Sequence, residues 1–172
     1  MDYQLTENHL ETLSITARLG VALVCFEKYC RVNDLLSNVE EFLEYLWKFP
    51  VLQTPGEFAA WETKRPRLVE VGLGEILPIE IQYQLRQKHV DPQEFATLLQ
   101  AIVEIGWGSF YGAANNKDSL SYLKRVITFT VENNISIPPM SPFLVSRFSD
   151  RHGWGNQLTE TQRNEWRCFA KA

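Results

Sequence analysis

An early segment of the chain is apolar on almost every side of the helix that it predicts. Thr6 is a candidate N-cap, and helical spacing continues to about Tyr29. The apolar positions form two stripes: Leu10, Leu13, Ala17, Val21 and Val24, and Ile15, Leu19, Ala22 and Phe26. Such a helix must be covered by other elements, so we expect it at the centre of a bundle. Gly20 within it would let a neighbouring element pack closely.

The remaining segments also carry helical patterns. Apolar residues follow helical spacing from Leu35 to Trp47, with Asn33 or Asp34 as the predicted cap and Pro50 as the stop. Capping signals precede further helices at Thr54, at Asp91, at Asp118 or Ser119, and at Thr159. Leu68–Leu77 alternates in part as a strand does, but no partner strand is evident.

These patterns predict an all-α fold. We expect a single helical domain over residues 1–172, a bundle of about six to eight helices with the near-fully apolar first helix at its centre. The proline-rich segment that begins at Ile135 cannot be regular helix, so an irregular arm is expected near residues 135–158. With 172 residues, 45% of them apolar, the chain can bury a core without a metal or a disulfide.

The cysteines and the charged residues bear on location and partners. Three cysteines with no CxxC spacing favour a reducing compartment, and the apolar run Leu19–Phe26 is too short for a bilayer. We therefore expect a cytoplasmic protein with no membrane partner. Residues 1–94 hold 15 acids and 9 Lys/Arg, whereas residues 95–172 hold 6 and 8, and the total of −4 makes nucleic acid an unlikely ligand.

Metal and cofactor chemistry is not indicated by the sequence. His9, His89 and His152 are isolated, and no Cys or His pair has the spacing of a zinc site. Phosphate-loop and dinucleotide fingerprints are missing as well. We expect no metal and no cofactor. The cysteines are expected to be structural, because a thiol inside an apolar helix behaves as a small hydrophobe.

The segment from Arg147 to Asn156 gathers an acid, two bases, an imidazole and an indole. In a functional interpretation, Asp150 orients His152 as a general base, and Arg147 or Arg151 binds an anionic group. In a structural interpretation, the flanking glycines end a turn and Trp154 anchors the arm on the bundle. The sequence leaves both interpretations open.

A second aromatic segment spans residues 106–112. Its glycines beside Trp107, Phe110 and Tyr111 are typical of a cleft lining and equally of close helix packing. The second helix adds an acidic face of Glu40, Glu41 and Glu44, which is suited to a basic protein partner.

Taken together, the sequence favours a non-catalytic cytoplasmic protein-interaction domain that uses this acidic face. An inhibitor, an immunity-type neutraliser or an adaptor has this character, and a homo-oligomer is also compatible with it. The alternative is an enzyme or small-molecule binder with its site at Asp150, Arg151, His152 and Trp154. Nucleic-acid binding through the mildly basic C-terminal part ranks third.

Overall fold

A computed structural model describes residues 9–172, and their helices form an all-α bundle, which confirms the predicted fold class. The α-helices are α1 (Ile15–Val32), α2 (Leu36–Leu46), α3 (Pro55–Glu62), α4 (Arg67–Gly72), α5 (Ile79–Gln87), α6 (Pro92–Phe110), α7 (Asn116–Glu132) and α8 (Glu160–Cys168). Short 3₁₀ turns cover Phe49–Val51, Ser141–Val145, Arg151–Gly153 and Phe169–Lys171.

Helix α1 lies at the centre of the bundle, as predicted. Every residue from Ile15 to Cys30 is buried, and α2, α6, α7 and α8 all pack against this helix. A Cβ atom at Gly20 would lie 2.7 Å from the ring of Trp166, so this glycine permits the close approach of α8. The close packing expected at Gly20 is therefore confirmed.

The predicted first helix is interrupted at Leu13 and Ser14: residues 9–12 are helical, and regular helix resumes only at Ile15. The central helix begins at Ile15, where the Ser14 hydroxyl accepts a hydrogen bond from the Ala17 N–H at 3.0 Å. The backbone just before it pairs with the C-terminal arm instead: Phe148 N–H donates to Thr12 O at 2.8 Å, and Ser14 N–H donates to Ser146 O at 3.1 Å. The predicted cap, Thr6, lies outside the described residues.

Two predicted caps within the described residues are wrong. Asn33 closes α1, while Asp34 has a φ of 55° and pairs with Lys88, so neither residue caps α2. Asn115, rather than Asp118 or Ser119, caps α7 by accepting the Asp118 N–H at 3.0 Å. Thr54 and Thr159 form capping boxes, and Asp91 caps α6, as predicted.

The strand-like segment is helical where it is most apolar. Its first residues form α4, which packs against α6, and a Cβ atom at Gly72 would lie 2.5 Å from Val103. The alternation of apolar residues therefore reflects a short helix with one buried side.

The irregular arm is confirmed. Residues 133–159 contain no α-helix, and buried side chains of Ile135, Met140, Phe143 and Leu158 hold them on the bundle. The arm also reaches α1, because the Trp154 carbonyl accepts a hydrogen bond from the Thr16 hydroxyl at 2.7 Å.

Candidate functional site

The turn at residues 150–155 contains the densest cluster of predicted site residues. The Asp150 Oδ2 atom accepts hydrogen bonds from the Arg147 N–H at 2.9 Å and the Asn156 amide at 3.1 Å. The Asp150 carbonyl accepts two more, from the Gly153 and Gly155 N–H groups. Asp150 thus closes the turn, and no hydrogen bond joins it to His152 within residues 9–172.

Arg151 and His152 both have left-handed backbone conformations, with φ of 50° and 57°. Non-glycine residues in this region cost on the order of 1–3 kcal/mol each, and they persist where the surroundings fix them. The flanking Gly155 (φ 82°) is one such constraint, because a Cβ atom there would lie 2.0 Å from the Ser146 hydroxyl. The turn therefore holds two strained residues side by side at the surface, where both are exposed.

Trp154 packs the turn against aromatic side chains of the bundle. Its ring stacks on Phe110, with centroids 5.7 Å apart and planes 24° apart, and its centroid lies 6.4 Å from that of Phe49. Phe58 meets Phe110 edge-on at 5.0 Å. These rings, with Arg151 and His152, line a groove of about 470 Å³, which we call the aromatic groove.

Besides the acids of α2, four predicted site residues lie outside the lining of the aromatic groove: Asp150, described above, and Arg147, Trp107 and Tyr111. Arg147 is exposed, and its Nε atom donates to the Leu144 carbonyl at 3.2 Å. Trp107 is buried behind the groove, 4.8 Å from Phe110 between ring centroids. Tyr111 is 78% exposed, and its hydroxyl donates to Glu62 at 3.0 Å.

The acidic face of α2 is only partly available. Glu40, Glu41 and Glu44 are all exposed, but Glu44 forms an ion pair with Arg167 of α8 at 2.6 Å. Arg167 also bonds to Glu27 at 3.1 Å, a carboxylate that is buried in the core and accepts the Trp47 indole N–H at 3.2 Å. Glu44 is thus exposed but paired with Arg167, which links it to the buried Glu27, and Glu40 and Glu41 are the other two exposed acids of this face.

The structure adds an apolar surface that the sequence reasoning missed. Ile79 and Tyr83 lie on one side of α5 and are 80% and 63% exposed, and Ile76, in the connection before α5, is 87% exposed. We call these three residues the α5 stripe. Leu85 on the same helix is buried, so α5 is apolar on two sides, and only one of them meets the core. That double pattern was the signal available in the sequence.

Two of the three cysteine thiols lie in the core, where thiolate chemistry is disfavoured. Cys25 and Cys30 are buried, and burial raises the pKa of the Cys25 thiol to about 12 and that of Cys30 well above its usual range. Cys168 is exposed. Among residues 9–172, no group of three or more His, Cys, Asp or Glu side chains is placed to hold a metal ion.

Comparisons with known proteins add no family. No protein-family model matches the chain, and neither a curated protein nor a solved structure matches it. None of the helices within residues 9–172 combines the length and the apolar character that a membrane crossing requires.

Proposed function

We propose that the protein is a non-catalytic protein-interaction domain and that the α5 stripe is the centre of its contact surface. The observation that carries the proposal is the exposure of Ile76, Ile79 and Tyr83 over two consecutive turns of chain. Neighbouring large apolar side chains in water mark interaction sites, and tyrosine is enriched among the residues that dominate binding energy.

The exposed acids of the neighbouring helix α2 favour a basic partner. The side chain of Asn38 on α2 bonds to Gln84 on α5, which ties the acidic helix to the stripe. Glu40 and Glu41 follow Asn38 on α2 and are exposed. Opposite charge speeds encounter and aids selectivity, so we expect the partner to present an apolar centre with Lys or Arg beside it.

Two further observations support a binding role in the cytoplasm. The Asp150 carboxylate is used within its own turn, which leaves His152 without the orienting acid that a general base needs. All three cysteines are free thiols, which suits a reducing compartment. An inhibitor, a neutraliser or an adaptor fits these features equally.

The proposal is tested by quantitative co-purification from the native host. Ile79→Glu is expected to lose the partner that wild type retains, because a charge at the centre of an apolar contact must be desolvated on binding. The matched control is Val145→Glu, which changes another exposed apolar residue, 49% exposed, on the arm. Both variants should unfold at the wild-type temperature, since both sites face water.

Two outcomes would contradict the proposal. One is an Ile79→Glu protein that retains every wild-type partner while remaining folded. The other is equal loss of the same partner in Ile79→Glu and Val145→Glu.

The acidic residues are tested by the double variant Glu40→Lys with Glu41→Lys, which should weaken retention of the partner in a salt-dependent manner. Unchanged retention of the partner would remove the acidic residues from the contact.

A further inference from the structure

We infer that the aromatic groove is a binding site for a small aromatic carboxylate, with the ring of the ligand against the aromatic wall and its anion at Arg151 and His152. The site uses α6, the arm and the connection around Phe49, whereas the proposed contact surface lies on α5 and α2. The inference therefore goes beyond the proposed function and can fail without affecting it.

The groove has the size and the wall that a flat ligand needs. Its volume of about 470 Å³ falls within the usual range for small-molecule pockets. Trp154 and Phe110 form a stacked pair at 5.7 Å, and Phe49 meets Phe110 at 5.4 Å, so three rings stand together at the groove. Aromatic surfaces of this kind favour stacking with another ring.

The charge of the groove selects an anion. Arg151 and His152 are the titratable side chains among the described residues that line it. The nearby carboxylate of Glu57 is occupied in its capping box, where Oε2 accepts the Gln53 and Thr54 N–H groups at 2.6 and 3.2 Å. A guanidinium matches the two oxygens of a carboxylate and also lies flat against aromatic rings.

The backbone of the turn supports the same assignment. Two successive left-handed residues at the edge of a groove are unusual, and strain of this type concentrates at binding sites. Glycine or asparagine would adopt the same conformation more easily, yet the chain places two long nitrogen-bearing side chains there. The Trp154 carbonyl bond to Thr16 and the close packing of Gly155 hold the turn against α1.

A larger groove between α6 and α7 lacks this selectivity. It measures about 790 Å³, and its lining includes Lys117 and Arg125 together with Glu94 and Glu132. Both signs of charge are present, so the groove defines no ligand class. This contrast provides an internal reference for the test.

The probe for the test is 2-naphthoate, and its matched control is 2-naphthamide, which keeps the shape and loses the charge. NMR titration of the nitrogen-15-labelled full chain with 2-naphthoate is expected to move the backbone signals of residues 151–155 and the indole N–H signal of Trp154. The amide is expected to bind about tenfold more weakly or worse, because a charged hydrogen bond is lost.

Three variants assign the contact. Arg151→Asn and His152→Asn remove the side chains but keep a residue that accepts a positive φ, so the turn should survive. Arg151→Asn should lower the affinity for 2-naphthoate by about tenfold, and His152→Asn should lower this affinity by a smaller factor. Arg147→Gln, on the same arm but outside the groove lining, should leave the affinity unchanged.

Several results would overturn the inference. Equal affinity for 2-naphthoate and 2-naphthamide would show that charge plays no part. Unchanged affinity in a folded Arg151→Asn protein would remove the assigned contact. Signal changes confined to the α6–α7 groove, or none up to millimolar 2-naphthoate in the folded wild type, would exclude the site itself.

Discussion

At the scale of single residues, polar side chains inside the core hold the irregular parts of the chain in place. Arg18 of α1 is fully buried, and its guanidinium donates to the Asn116 carbonyl at 2.9 Å and to the Ser119 hydroxyl at 2.7 Å. Burial lowers the pKa of Arg18 to about 10. Lys28, also buried, donates to Ser136 on the arm. The central helix therefore uses these two charges to fasten the first turn of α7 and the arm.

Cys25 provides a prediction about stability at high pH. Burial raises the pKa of its thiol from 9.0 to about 12, so the folded state keeps this proton while the unfolded state loses it. The stabilisation is complete below pH 9 and is lost as the pH rises toward 12. In Cys25→Ala, the free energy of unfolding should fall less steeply with pH over this window, by at most about 1.4 kcal/mol per pH unit.

The measurement is chemical denaturation of both proteins at several pH values between 8 and the onset of alkaline unfolding. Comparing slopes removes the constant cost of the smaller side chain, and the other buried titratable groups are common to both proteins. Identical slopes for the wild type and Cys25→Ala would contradict the assigned burial of the thiol.

At the scale of elements, local patterns predicted which segments are helical better than they predicted where helices begin. The capping boxes at Thr54 and Thr159 were predictable because cap and partner lie three residues apart. The start of α1 at Ile15 was not, because Ser14 and Thr12 bond to arm residues more than 130 positions away. No local spacing contains that information.

Helix α8 docks onto α1 at Gly20, which yields a packing prediction. Gly20→Ala should lower the free energy of unfolding by about 1–2 kcal/mol, because the new methyl group would lie 2.7 Å from the ring of Trp166. This loss should outweigh the gain of about 1 kcal/mol in helix propensity.

The matched control is Gly56→Ala on the exposed helix α3. The nearest atom to a Cβ at Gly56 is the Thr54 hydroxyl oxygen at 3.9 Å, so stability should stay the same or rise slightly. Denaturant unfolding measures both variants. A Gly20→Ala protein as stable as Gly56→Ala would mean that α8 does not pack closely on α1.

At the scale of the whole molecule, the all-α class and the central position of α1 were predictable, whereas the surfaces were predictable only in part. The shared location of Arg151, His152 and Trp154 was predictable because they are neighbours in the chain. It could not show that Phe49 and Phe58, distant in the chain, line the same groove as these residues, nor that Glu44 pairs with Arg167. The α5 stripe was missed because exposure depends on which of two apolar sides the core covers.

The central claim is that the α5 stripe touches a protein partner, and photo-cross-linking tests it most directly. A photoreactive phenylalanine analogue replaces Tyr83 in one protein and Tyr111 in another, since both tyrosines are exposed, 63% and 78%. After irradiation in the native host, position 83 is predicted to yield one discrete cross-linked protein that is rich in Lys or Arg near the cross-link. Position 111 is predicted not to yield it. The same product from both positions, or no product from position 83 in the folded protein, would contradict the claim.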